Sequence, residues 1–97
     1  MTIRVFARVL ARPDSRDNLR QALRDNMFAS RREPGCVRYE LAQSLTDANE
    51  FLTIEEWRTE TDVATHMQTP HVTALLAMVP ALLAAPPEIC SFRALAD

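Results

Sequence analysis

"CVRYELAQSLTDANEFLTIEEW", residues 36–57, decides the fold. Its two ends, "CVRYELAQS" and "EFLTIEEW", are rich in alternating apolar, β-branched and aromatic residues, and the intervening "LTDAN" carries the turn formers Asp47 and Asn49. Two such runs joined by a loop of this length pair as an antiparallel hairpin. In the second run Phe51, Thr53, Glu55 and Trp57 share one face and Leu52, Ile54 and Glu56 the other, because side chains alternate along a strand.

Upstream, Ile3, Val5, Ala7 and Val9 alternate with Arg4, Phe6, Arg8 and Leu10 between Thr2 and Arg12. That is the period of a strand, here with apolar residues on both faces. "RPDSRDNLRQALRDNMFASRREPG" then predicts a helix. Pro13 suits its first turn, Asp14 and Asp17 sit at its positive end, Leu19, Ala22, Leu23 and Met27 form one face, and Pro34 and Gly35 stop it.

Downstream of the hairpin, a short helix is expected from about Thr61 to Gln68, with Val63, His66 and Met67 on one inward side. Thr69 caps a further helix that starts at Pro70 and ends before Pro86 and Pro87. Its apolar run from Ala74 to Ala85 falls short of the roughly 20 residues that cross a bilayer and reads as a buried helix. "EICSFRAL" closes the chain as a strand. The order β-α-β-β-α-β is an α+β, ferredoxin-like arrangement, with helices on one face of a four-stranded antiparallel sheet in one domain spanning residues 1–97. Because the first and third strands are apolar on both faces, the open sheet face is expected to meet a second copy of the chain in a homodimer.

Composition narrows the function. The 97 residues are 47% hydrophobic and 25% charged with a single Gly, a globular profile with no membrane segment. A net charge of −2 gives no basic surface for nucleic acid. All eleven basic residues are Arg, and those at positions 4, 8, 12, 16, 20 and 24 cross a strand and a helix, so they read as solvated positions. Without a secretory signal, Cys36 and Cys90 are expected to be reduced thiols of a cytoplasmic protein.

"EPGCVRYEL", Glu33 to Leu41, and "EEWRTETDVATHMQTPH", residues 55–71, are where the chain resembles a family, the antibiotic biosynthesis monooxygenase (ABM) domain and its small quinol monooxygenase-like members. The second stretch is close to that family's E-x-W followed by H-x-x-T-P-H. The resemblance covers the whole chain and implies a dimeric α+β barrel with a cavity between sheet and helices in each subunit. It also implies oxidation of a small aromatic substrate, a hydroquinone-like or polycyclic phenol, by O2 without flavin, haem or metal. Such chemistry asks for a base or proton shuttle in a dry pocket, since a phenolate reduces oxygen far more readily than a phenol.

The residues offer candidates. His66, on an inward helix face, can take and return a proton near neutral pH. His71, in the first turn of its helix, is disfavoured as a cation and can donate a hydrogen bond to a phenolate or peroxide. Glu55 can orient a histidine or accept a proton, and Trp57 can wall a planar substrate if their shared face meets the helices; otherwise Trp57 anchors the interface and Glu55 pairs with an Arg such as Arg38 or Arg93. Tyr39 can hydrogen-bond substrate oxygen, and Asn26, beside the apolar side of the first helix, needs partners from substrate or backbone.

No metal site is expected, because His66 and His71 lie five apart with Pro70 between them and neither Cys is near. No cofactor is expected either: one Gly makes no phosphate loop, and "VTALLAMVPALL", residues 72–83, lacks the haem-ligand histidine that haem-degrading relatives of the fold carry there. Two other readings compete with the monooxygenase. One is an isomerase or decarboxylase on the same barrel, and the other a non-enzymatic dimer that binds a small ligand.

Overall fold

The computed structural model describes residues 1–96. Strand β1 (Ile3–Leu10) leads through a 3-10 turn (Pro13–Ser15) into helix α1 (Arg16–Ser30). The hairpin strands β2 (Cys36–Gln43) and β3 (Glu50–Trp57) follow, then α2 (Glu60–His66), α3 (Pro70–Leu82) and β4 (Glu88–Arg93). All pairings are antiparallel, in the order β2-β3-β1-β4, so the chain is a ferredoxin-like β-α-β-β-α-β unit.

The alternation in β3 sorts the two faces. Phe51, Thr53, Glu55 and Trp57 are all buried under the helices, while Leu52, Ile54 and Glu56 are half-buried on the other face. Beneath the helices the core divides in two. Val9, Ala11, Leu19, Leu23, Phe51 and Leu83 fill one end. Ile3, Val5, Tyr39 and Trp57 fill the other.

Two local features position the site. A β-bulge between Cys36 and Arg38 lets Cys36 oppose Trp57 while Tyr39 opposes Glu55, so Tyr39 faces inward and Val37 turns out to solvent. The helix starts are capped as their residues dictate: the Thr59 hydroxyl accepts from the Asp62 amide, and the Thr69 hydroxyl from the Val72 amide ahead of Pro70.

One expectation is corrected. Helix α3 is not buried: only Val72 within it is, and Leu76 and Met78 are each nearly half exposed. The helix lies over the mouth of a cavity with its apolar side only loosely packed. Met67, expected inward with His66, lines that cavity but is 43% exposed at the end of α2.

Candidate active site

A cavity of about 240 Å³ lies between the sheet and the helices. Val5, Ala7 and Val9 of β1 form its floor, α3 covers it with Leu75, Leu76 and Val79, and Pro87, Ile89 and Ser91 close one flank. Its polar lining includes Asn26, Tyr39, Thr53, Glu55 and His66, and no Lys or Arg contributes.

Glu55 is the carboxylate of this cavity, 5% exposed and two residues from the end of β3. Thr53 donates its hydroxyl to Glu55 Oε2 at 2.7 Å, and the Trp57 indole N–H donates to Oε1 at 2.9 Å. Residues i−2 and i+2 on one strand face thus hold the carboxylate between them. Burial pushes the Glu55 pKa up, the Thr53 and Trp57 hydrogen bonds and His66 pull it down, and the Glu33 charge raises it again; the outcome is upward.

Behind Glu55 stands His66, buried and stacked on Trp57 with ring centroids 4.3 Å apart. Its Nε2 lies 3.9 Å from Glu55 Oε1, and its Nδ1 lies 2.6 Å from Glu33 Oε2. The same Glu33 oxygen is 2.8 Å from His71 Nε2. A carboxylate oxygen only accepts, so His66 Nδ1 and His71 Nε2 each carry a proton toward it. When His66 is neutral, that tautomer leaves Nε2 without a proton on the side facing Glu55.

Side-chain exposure rises along this row, from 6% at Glu55 and His66 to 12% at Glu33 and 24% at His71. The Thr69 hydroxyl fixes the outer end, donating to the His66 carbonyl at 2.8 Å and lying 3.2 Å from His71 Nε2.

On the other side of Glu55, Asn26 Nδ2 donates to the Tyr39 hydroxyl at 3.0 Å. Burial, then the Glu55 charge, raises the Tyr39 pKa well above the ordinary phenol value, so Tyr39 is a neutral donor and no base. Among the described residues, Asn26 Oδ1 is buried with no hydrogen-bond partner.

The structure therefore brings Asn26, Tyr39, Glu55 and His66 to the cavity wall and leaves two candidates off it. Trp57 does not line the cavity; it is fully buried behind His66 and Glu55. His71 lies beside a shallower groove between α1 and α3. Glu55, expected to orient a histidine or accept a proton, lies 3.9 Å from His66 Nε2, while the residue that hydrogen-bonds both histidines is Glu33, which sequence reasoning missed. Its place immediately before Pro34 and Gly35 marked it as a helix end; its presence in "EPGCVRYEL" was the available signal.

The model of the family described as antibiotic biosynthesis monooxygenase matches residues 2–78. The chain belongs to this family. Rv0793 of Mycobacterium tuberculosis, named only provisionally as a monooxygenase, is 34% identical over 84 residues, covering 87% of this chain and 82% of the relative. Its solved structure superposes with a TM-score of 0.94 at 30% identity, over 100% of this chain and 98% of that one. The solved structure of PA3566 from Pseudomonas aeruginosa gives a TM-score of 0.92 at 30% identity, over 98% and 95% of the two chains. An uncharacterized Synechocystis protein, sll1783, is 33% identical over 89 residues, or 92% of this chain; the chain spans 60% of that relative's length. The ABM family frame thus joins a cavity whose one carboxylate is backed by histidine. Among the described residues, no helix is long and apolar enough to cross a membrane.

Proposed function

We propose that this ABM-family chain is a cofactor-independent monooxygenase that oxidises a neutral, electron-rich phenol or hydroquinone-like arene with O2. The observation that carries the reading is the buried Glu55 carboxylate in an apolar cavity with His66 Nε2 3.9 Å behind it. A lining without Lys or Arg disfavours anionic substrates such as phosphorylated or carboxylated compounds, whose desolvated charge would find no partner. That same feature favours the monooxygenase over an isomerase or decarboxylase of anionic substrates.

In this mechanism Glu55 removes the phenolic proton and passes it to His66 Nε2, whose imidazolium is stabilised by Glu33. The phenolate transfers an electron to O2, and the radical pair joins in a new C–O bond at a ring carbon that bears hydrogen, para to the oxygen in a phenol and ortho to it in a hydroquinone. That carbon then loses its proton as the O–O bond breaks. The proton held on His66 neutralises the expelled hydroxide, so phenol plus O2 gives quinone plus water. Asn26 and Tyr39 hold substrate oxygen, Trp57 fixes Glu55 and His66, and His71 holds Glu33 in place. The chain works as a homodimer through the open sheet face.

The test is oxygen uptake with 1-naphthol and a hydroquinone panel, with mass spectrometry of the product formed under ¹⁸O2. One labelled atom per quinone, lost in Glu55→Gln protein, is expected. Uptake at the uncatalysed rate, or equal uptake by the variant, overturns the reading, and turnover of any substrate without oxygen points to the isomerase or decarboxylase.

A further inference from the structure

We propose that Glu33, His66 and His71 form a binding site for a divalent d-block cation of the zinc class at the solvent side of the cavity, and that its occupation arrests proton transfer through His66. The second half rests on the monooxygenase reading; the first does not.

Geometry comes first. Glu33 Oε2, one nitrogen of His66 and one of His71 all lie within 4.8 Å of one another. Two of the separations are 2.6 and 2.8 Å, and the imidazole centroids are 6.0 Å apart. Two imidazoles bound to one ion at about 2.1 Å place their centroids roughly 5–6 Å apart. Small outward shifts would therefore admit an ion in place of the two shared protons. Spacing along one segment gave no such site, because the third donor comes from the turn between α1 and β2.

Charge and donor chemistry agree with the geometry. Glu33 and Glu55 flank His66 on opposite sides, and among the described residues no Arg forms a salt bridge with either. This half-buried place holds two carboxylates with only imidazoles to balance them. Two imidazole nitrogens and one carboxylate suit borderline ions such as Zn²⁺ and Co²⁺, whereas Mg²⁺ and Ca²⁺ prefer all-oxygen shells. Glu55 also stands where a supporting carboxylate for a metal-bound histidine belongs, across the ring from the ligating nitrogen. The outer ligand, His71, is partly exposed and gives the ion a way in.

The regulatory consequence follows from tautomers. A cation on Nδ1 displaces the proton there, and a neutral His66 then carries its proton on Nε2. The lone pair facing Glu55 is gone, so Glu55 can no longer pass its proton on.

The experiment titrates chelator-treated protein with ZnCl₂ by calorimetry and with CoCl₂ by visible absorption, using MgCl₂ as control. The expected result is one Zn²⁺ per chain, Co²⁺ d–d bands, no response to Mg²⁺, and at least tenfold weaker Zn²⁺ binding in both His71→Ala and Glu33→Gln, with circular dichroism showing that each variant is folded. Absence of saturable binding, or equal binding by both folded variants, overturns the site. If Zn²⁺ binds as expected but leaves oxygen uptake unchanged, the arrest fails and the site stands. If wild-type protein shows no uptake at all, the monooxygenase reading fails and the arrest with it, and again the site stands.

Discussion

The Trp57 indole N–H donates to Glu55 Oε1 at 2.9 Å, from a ring that is itself fully buried. Strand geometry makes the pair, since i and i+2 share a face. Trp57→Phe keeps an aromatic ring but removes the donor. We expect a stability loss of about 1–3 kcal/mol, the usual cost of a buried acceptor left short of a partner. The Glu55 pKa should rise further, moving the acid limb of the kcat/KM profile to higher pH. An unmoved acid limb would show that this hydrogen bond does not set the charge on Glu55.

The same carboxyl gives stability a pH dependence of definite sign. Its folded-state pKa lies above the ordinary 4.5, so between 4.5 and the raised value the native state binds more protons than the unfolded chain. In that window stability contributed by the protonated Glu55 is lost as pH rises. Activity has the opposite slope there, because only the ionised form is a base. Paired Tm and rate profiles of the wild type check this: inactive Glu55→Gln protein should lose the Tm dependence across that window, and a wild-type Tm that rises with pH in a Glu55-dependent way would reverse the sign.

Much of this fold was legible before any coordinates. Alternation in "EFLTIEEW" sorted Glu55 from Glu56, Thr69 and Pro70 marked the start of α3, and His66 fell on the inward side of α2. What was illegible depended on tertiary contacts or on breaks in periodicity. Glu33 meets His66 and His71 across 33 and 38 residues, a distance no local pattern spans. The bulge at Val37 moved Cys36 onto the face of Tyr39, against simple alternation. The exposure of α3 was hidden because an apolar run shows preference for burial, whereas burial itself depends on whether the space beneath is filled, and here a cavity occupies it.

Gly35 is a packing requirement more than a helix stop. A Cβ there would fall on the Asp62 side chain, near the start of the helix that carries His66. The Gly35 carbonyl also accepts from the Arg58 amide at 2.9 Å, so the two segments cannot simply separate. Gly35→Ala should destabilise by about 1–3 kcal/mol, the range for overpacking. Gly35→Ala with Asp62→Gly should recover part of that loss in urea unfolding, because the clash involves the Asp62 Cβ and carboxyl; no recovery would place the cost in the Gly35 backbone.

The open sheet face yields the last prediction. Phe6 and Phe92, on neighbouring strands, meet edge to face with centroids 5.8 Å apart, and Phe92 remains 56% exposed. Val37, pushed outward by the bulge, is 50% exposed, and Leu52 and Ile54 continue the apolar surface across β3. Charged pairs border it, with Arg8 bonded to Glu50 at 2.7 Å and to Glu88 at 3.3 Å. An apolar centre with a charged rim is how a surface that meets another protein is built, and a second copy of the chain offers the same centre to it under twofold symmetry. Sedimentation should therefore show twice the 11.0 kDa chain mass for the wild type. Phe6→Arg combined with Phe92→Arg should give monomers, because two like charges would be brought together and desolvated at the centre of the interface. Far-ultraviolet circular dichroism of the double variant separates dissociation from unfolding, and a wild-type protein that sediments as a monomer at tens of micromolar would leave the open face without its second copy.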